Sequence, residues 1–167
     1  VEHMGILALG VGIGGIGTFG SMFHAVNHSL TKAMLFLLAG NILATYKTKS
    51  TSSVQGLLRS VPVTGVLWLL GFFAITGSPP FGAFLSEMTI LKAALAQGQF
   101  LVAGLYLLAL AVIFVGMLTI FIRMSQGVPS AASAQRLVAG AAEPRLSILP
   151  PALLAVGVLL LGVYMPP

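Results

Sequence analysis

Three titratable side chains recur at helical spacing in the stretch HAVNHSLTK. His24, His28 and Lys32 stand at positions i, i+4 and i+8, so an α-helix places all three along one face. At a rise of 1.5 Å per residue they form a polar stripe about 12 Å long. Histidine titrates near neutral pH and desolvation favours the neutral form of an amine, so such a row can pass protons from group to group. The pattern predicts a proton relay.

Two other interpretations of this row stay open. The histidines can be hydrogen-bonded packing residues, with Lys32 paired to a carboxylate on another helix. Histidines at i and i+4 can also share a metal ion or a haem, but such a site needs at least one further ligand. The chain has no Cys, and Glu87 is the only acid within a complete predicted membrane segment. We therefore expect no metal and no cofactor in this chain.

A second pair of charges, Glu87 and Lys92, lies within about 5 Å of the midpoint of a segment predicted to be helical over 81–97. The two residues are five positions apart and point in different directions, so each needs its own partner. We expect Glu87 to answer Lys32 from another helix. A charge inside a bilayer costs several kcal/mol unless it faces protein or water, which marks both residues as further relay candidates.

The composition requires a membrane around these residues. Of 167 residues, 57% are hydrophobic and 7% are charged, with a mean hydropathy of +1.05, whereas a soluble domain carries about 25% charged residues. The net charge of +5 is spread over separate loops and forms no basic stripe, which suits a membrane surface and excludes a nucleic-acid partner. Without Cys, iron-sulfur clusters and other redox centres must lie in other chains.

The hydrophobic runs predict an all-α fold, a polytopic transmembrane helix bundle of about five complete helices after a truncated first one. The start without Met, with Glu2 and His3 leading straight into an apolar run, predicts that residues 1–167 are the C-terminal part of a longer membrane domain. The predicted segments are a truncated helix over 4–14, the relay helix over 17–44, a short helix over 62–76, a broken-helix region over 77–97, a span over 100–122, an exposed loop over 123–147 and a last helix over 148–165.

The broken-helix region follows Gly77-Ser78-Pro79-Pro80. Two adjacent prolines remove backbone donors, so a helix cannot continue through them. A break at membrane depth is tolerated only where protein or water covers the free backbone groups. The alternative is an ordinary proline-terminated loop at the membrane interface.

The stretches HAVNHSLTKAMLFLLAG and GSPPFGAFLSEMTIL together resemble the antiporter-like proton-translocating subunits of respiratory complex I and their relatives in membrane-bound hydrogenases and Mrp-type cation/proton antiporters. The opening VEHMGIL and the close ILPPALLAVGVLLLGVYMPP are most similar to the F component of the hydrogenase-4 and formate hydrogenlyase group. The resemblance implies inverted five-helix repeats with a central line of Lys, His and Glu. It places His24, His28 and Lys32 in that line and makes Glu87, where some relatives have Lys, the acid of the second broken helix.

The resemblance implies proton translocation within a hydrogenase-type or NADH:quinone oxidoreductase complex in the cell (inner) membrane. The expected partners are the other membrane subunits of that complex and the lipid bilayer. Two alternatives remain: an Mrp-type cation/proton antiporter subunit with no redox partner, and a structural membrane anchor whose polar groups merely pair.

Overall fold

The computed structural model of the protein describes residues 2–128 and 145–164, and within them every regular element is helical. The predicted all-α bundle is therefore confirmed. A short 3-10 turn, Thr51–Ser53, lies between the second and third α-helices. The α-helices are α1 Glu2–Ile13, α2 Ile16–Tyr46, α3 Leu57–Ser60, α4 Pro62–Ile75, α5 Gly82–Ala96, α6 Phe100–Gln126 and α7 Arg145–Val163.

Three of the helices are long and apolar enough to cross a membrane: α2 with 31 residues, α6 with 27 and α7 with 19. The apolar helices α1 and α4 are shorter, with 12 and 14 residues, and α5 has 15. The outer faces of α6 and α7 expose large apolar side chains such as Leu101, Leu108 and Leu153. This is the surface of a multi-pass membrane protein, in which lipid takes the place of water.

Helix α2 is the centre of the bundle and packs against α1, α4, α5 and α7. Small residues on one face let its neighbours approach closely: a Cβ added at Gly20 would lie 2.9 Å from Cγ1 of Ile90 on α5. His24 and Asn27 continue the same face and are fully buried. Helix α2, which carries the predicted relay, is thus surrounded by protein at His24 and Asn27.

The chain breaks between the end of α4 at Ile75 and the start of α5 at Gly82, as the proline pair predicts. Helix α7 packs against the end of the break. Gly162 packs directly against the Pro80 carbonyl oxygen, and the fully buried Val158 clusters with Phe81. The start of α5 therefore lies under protein, whereas the side chains of Pro79 and Pro80 stay exposed.

Part of the predicted exposed loop over 123–147 is helical. Helix α6 continues to Gln126, so Arg123 lies in its last turn, and Arg145 opens α7. Residues 129–144, which include Arg136, lie outside the described residues, as does Met165 of the predicted last helix.

Two glycines of α7 test whether this helix closes on the break. A methyl group added at Gly162 would meet the Pro80 carbonyl oxygen and the Gly82 nitrogen, whereas one added at Gly157 meets nothing within 4 Å. We expect Gly162→Ala to destabilise the protein by about 1–3 kcal/mol through overpacking. Gly157→Ala should be neutral or stabilising, since alanine favours a helix over glycine by about 1 kcal/mol. The measurement is the Tm of the detergent-purified protein, and equal Tm values for both variants would contradict the packing.

Candidate functional site

All three histidines of the chain meet at one point in the bundle. One ring nitrogen from each of His3, His24 and His28 lies within 4.8 Å of the other two. The ring centroids of His24 and His28 are 6.2 Å apart on α2, and those of His3 and His28 are 4.3 Å apart across the α1–α2 contact. The spacing in the sequence predicts the first contact. The second adds a residue from α1 that the relay prediction lacked.

His24 is hydrogen-bonded on both sides of its ring. Its Nδ1 lies 2.8 Å from Ser86 Oγ, and its Nε2 lies 3.1 Å from His3 Nδ1. Ser86 Oγ also donates to the Ala83 carbonyl oxygen over 2.7 Å. Because a carbonyl can only accept, the Ser86 proton is committed there and His24 Nδ1–H must donate to Ser86 Oγ. In the neutral rings, His24 Nε2 then carries a lone pair and accepts a hydrogen bond from His3 Nδ1–H.

The row continues from His3 to Glu2. His3 Nε2, which has the lone pair in this tautomer, lies 4.0 Å from Glu2 Oε1. A proton arriving at Nε2 from a protonated Glu2 can therefore leave from Nδ1 to His24, because the imidazole ring binds a proton on one nitrogen and releases it from the other. Glu2, His3, His24 and Ser86 thus form a row across α1, α2 and α5. The sequence signal for the first two was a pair of polar residues opening an apolar run.

Lys32 borders the same cavity as Glu2, His3 and His28. The cavity measures about 120 Å³. The lysine itself is exposed among the described residues, with Nζ 5.8 Å from the ring centroid of Phe36. Helix α2 places its two histidines and its lysine in one row, as their spacing predicts, and His28 and Lys32 border the same cavity.

Glu87 is buried on α5, with 4% of its surface exposed. Its carboxylate lies directly against Gly77, in the break between α4 and α5. A second cavity of about 10 Å³ is lined by Glu87 and Glu2 together with Ile75 and Thr76, which is close to the room that one water molecule needs. Glu2 therefore borders both cavities and stands between Lys32 and Glu87.

The prediction that Glu87 answers Lys32 is wrong. No ion pair joins these two side chains in residues 2–128 and 145–164, and the carboxylate that shares a cavity with Lys32 is that of Glu2. The reason is that α1 folds back antiparallel along α2, which brings an acid from the first turn of α1 to the depth of His28. Lys92 is exposed on α5 and lines neither of the two cavities, so the structure does not bring it to the histidines.

Known proteins are similar to this chain in sequence and in fold. Residues 1–123 match the family model described as NADH:quinone oxidoreductase/Mrp antiporter, TM. The hydrogenase-4 component F homolog of Methylacidiphilum infernorum (isolate V4) is 40% identical over 106 residues, which are 63% of this chain and 22% of that protein. An Na(+)/H(+) antiporter subunit of Bacillus subtilis (strain 168) is 28% identical over 128 residues, which are 76% of this chain and 26% of that protein. The chain thus spans about a quarter of the length of these curated relatives.

The fold is also similar to that of a chain in the Mrp complex from Dietzia sp. DQ12-45-1b, with a TM-score of 0.82 and 24% sequence identity. The match covers 96% of this chain and 38% of the other. At this identity the likeness shows the fold: the helical arrangement of the described residues occurs within a larger membrane protein.

Two glycines in left-handed conformations test the position of the Glu87 carboxylate. Gly77 has φ 62° and Gly98 has φ 71°, so alanine at either position costs about 1–2 kcal/mol in backbone strain. A Cβ at Gly77 would also meet the Glu87 carboxylate, whereas one at Gly98 meets nothing within 4 Å. We expect Gly77→Ala to cost about 1–3 kcal/mol more than Gly98→Ala in chemical or thermal unfolding of the purified protein. Equal losses would show that the carboxylate lies elsewhere.

Proposed function

Because this chain belongs to the NADH:quinone oxidoreductase/Mrp antiporter transmembrane family, we propose that it carries protons through the interior of an ion-translocating membrane subunit. The observation that supports this function is the row of titratable groups described above. Hydrogen bonds join His3, His24 and Ser86, Glu2 lies 4.0 Å from His3, and Lys32 and Glu87 each line a cavity that Glu2 also lines.

In this proposal Glu2 is the junction of the path. A proton released by Lys32 crosses the larger cavity to Glu2 or to His28, and a proton bound at Glu87 reaches Glu2 through the smaller one. Only one extra proton is stable in the histidine cluster at a time. Two charges at 5.3 Å, the separation of the His3 and His24 ring centroids, repel by about 3 kcal/mol at an effective dielectric constant of 20. Arrival of a proton on one side therefore favours release on the other.

The proposed setting is a hydrogenase-type or NADH:quinone oxidoreductase complex in the inner cell membrane, with the other membrane subunits as partners. The 40% identity to a hydrogenase-4 component F homolog supports it. Redox centres would lie in the partners, since this chain has no Cys. An Mrp-type antiporter subunit is the second candidate, supported by the match to an Na(+)/H(+) antiporter protein over 76% of the chain. Neighbouring genes for iron-sulfur and nickel-site subunits, or instead a run of small antiporter genes, would separate the two.

Substitution of Lys32 tests whether it is a proton carrier or only a balancing charge. Arginine keeps the positive charge but stays protonated below about pH 12, so it cannot release the proton that the path needs. We expect Lys32→Arg and Lys32→Ala each to reduce proton translocation to less than about a tenth. Lys49→Ala, in the exposed segment after α2, should leave it near normal. The measurement is proton uptake per electron transferred in inverted vesicles, with assembly checked for each variant.

A purely structural role predicts a different pattern. If Lys32 only balances the charge of Glu2, arginine substitutes for it, and joint removal of both charges is milder than removal of either alone. Normal pumping by an assembled Lys32→Arg complex would therefore reject the relay role.

Substitution of Glu2 tests the junction. Glu2→Gln preserves the shape of the side chain but removes its titratable proton, so we expect translocation to stop although the complex assembles. Glu2→Asp keeps a titratable carboxylate on a shorter stem and should retain a substantial share of the activity. Equal activity of the Gln and Asp variants in the same vesicle assay would mean that protons bypass this position.

A further inference from the structure

The histidine cluster presents three imidazoles to one point, which is the ligand set of a common type of metal site. Zinc binds imidazole nitrogens at 2.0–2.1 Å with tetrahedral geometry, and many sites use three protein ligands and a water molecule. In that geometry the ligand nitrogens are about 3.3 Å apart. His3 Nδ1 and His24 Nε2 are 3.1 Å apart, and all three ligand nitrogens lie within 4.8 Å of one another. Helix α1 thus supplies the third ligand that the spacing on α2 lacks.

We propose that His3, His24 and His28 bind a divalent ion of the zinc class, Zn²⁺, at the middle of the proton row. The site as such stands on the geometry of the three rings. Its consequence, that a bound ion stops proton transfer, rests on the proposed function, because the ion occupies the lone pairs through which protons pass.

One of the three ligands already has the outer partner that a metal-bound histidine needs, and a second has a carboxylate nearby. An imidazole bound to a metal through one nitrogen donates its other N–H to an oxygen acceptor, which fixes the ring. His24 Nδ1–H donates to Ser86 Oγ over 2.8 Å, which leaves Nε2 for the ion. His3 Nε2 lies 4.0 Å from Glu2 Oε1. When the His3 proton moves from Nδ1 to Nε2, it faces this carboxylate and Nδ1 gains the lone pair for the ion, with no net loss of a proton.

His28 is the ligand that has to move, and it is free to do so. Its Nδ1 is buried and has no hydrogen-bond partner among the described residues. The ring is only half-buried and borders the cavity of about 120 Å³ shared with His3 and Lys32. It can therefore turn toward the other two rings without breaking a hydrogen bond. The cavity also has room for a water molecule as the fourth ligand.

One negative and one positive side chain line the cavity beside the site. Glu2 and Lys32 line the same cavity, so the carboxylate attracts a divalent cation and the ammonium group repels it. Loss of the lysine charge should strengthen metal binding, whereas loss of the carboxylate charge should weaken it. This opposite response distinguishes a cation site from a cluster whose rings only pack together.

The experiment uses the full-length protein in lipid nanodiscs, purified without a histidine tag. Co²⁺ is the probe, because its visible absorption reports coordination, and Zn²⁺ is then added to displace it. We expect His28→Gln to lose one bound ion per protein, Glu2→Gln to weaken binding 10–100-fold, and Lys32→Ala to tighten it several-fold. The matched control is Tyr106→Phe, which removes a buried hydroxyl that, like His28 Nδ1, has no hydrogen-bond partner among the described residues. This variant should bind the ion like the wild type.

Identical Co²⁺ titrations of the wild type and His28→Gln would overturn the site. A second measurement detects binding even if a variant folds poorly. Co²⁺ should raise the Tm of the wild-type protein and leave that of His28→Gln unchanged, since a ligand that binds only the folded state stabilises it. Zn²⁺ bound at this site in vesicles with unimpaired proton pumping would uphold the site and overturn the proposed path. Pumping lost in His28→Gln with metal binding unchanged would uphold the path and overturn the site.

Discussion

Most buried polar groups in this bundle need a partner inside the protein, because the hydrocarbon core of a bilayer offers none; among the described residues His28 Nδ1 and the Tyr106 hydroxyl are exceptions. Helix α2 meets this requirement in two ways. Several of its hydroxyl and amide side chains donate to backbone carbonyl oxygens one turn back, as Thr31 does to that of Asn27 and Asn27 does to that of Phe23. His24 instead bonds across helices to Ser86 and His3. Ser21 and Asn41 also bond across helices, to the Leu7 and Ser147 carbonyl oxygens, so these hydrogen bonds join both titratable and neutral groups.

The same requirement explains why the row contains so few close ion pairs. A tight pair of opposite charges stabilises the charged state of both partners, and a proton bound there is slow to leave. Among the described residues the shortest distance between a basic side chain and a carboxylate is the 4.0 Å between His3 Nε2 and Glu2 Oε1. In the proposed relay, neutral groups that exchange protons at similar free energies are better suited to transfer, and Glu87, buried with no ion pair among the described residues, fits the same logic.

Long apolar segments and the proline break could be predicted from the sequence. The relay helix predicted over 17–44 runs over Ile16–Tyr46, and the break at the proline pair lies where two missing donors require it. The depth of Glu2 and His3 could not be predicted, because it depends on the turn at Gly14 and Gly15 that folds α1 back along α2. Spacing within one helix reveals which residues share a face but carries no information on the register between helices. For this reason the sequence predicted Glu87 as the partner of Lys32, where the structure has Glu2, and did not predict that His3 joins the two histidines of α2.

The contact of α7 with the end of the break has a consequence for how the protein is made. Gly162 lies roughly 80 residues after the prolines it packs against. At a synthesis rate of about 5–20 residues per second, about 4–16 seconds separate the two events. During that interval the break is held by its own backbone hydrogen bonds and by contacts with α2 and α5, and the start of α5 lacks only the contact that α7 later supplies. A chain that ends before α7 therefore leaves this part of the bundle surface open to lipid.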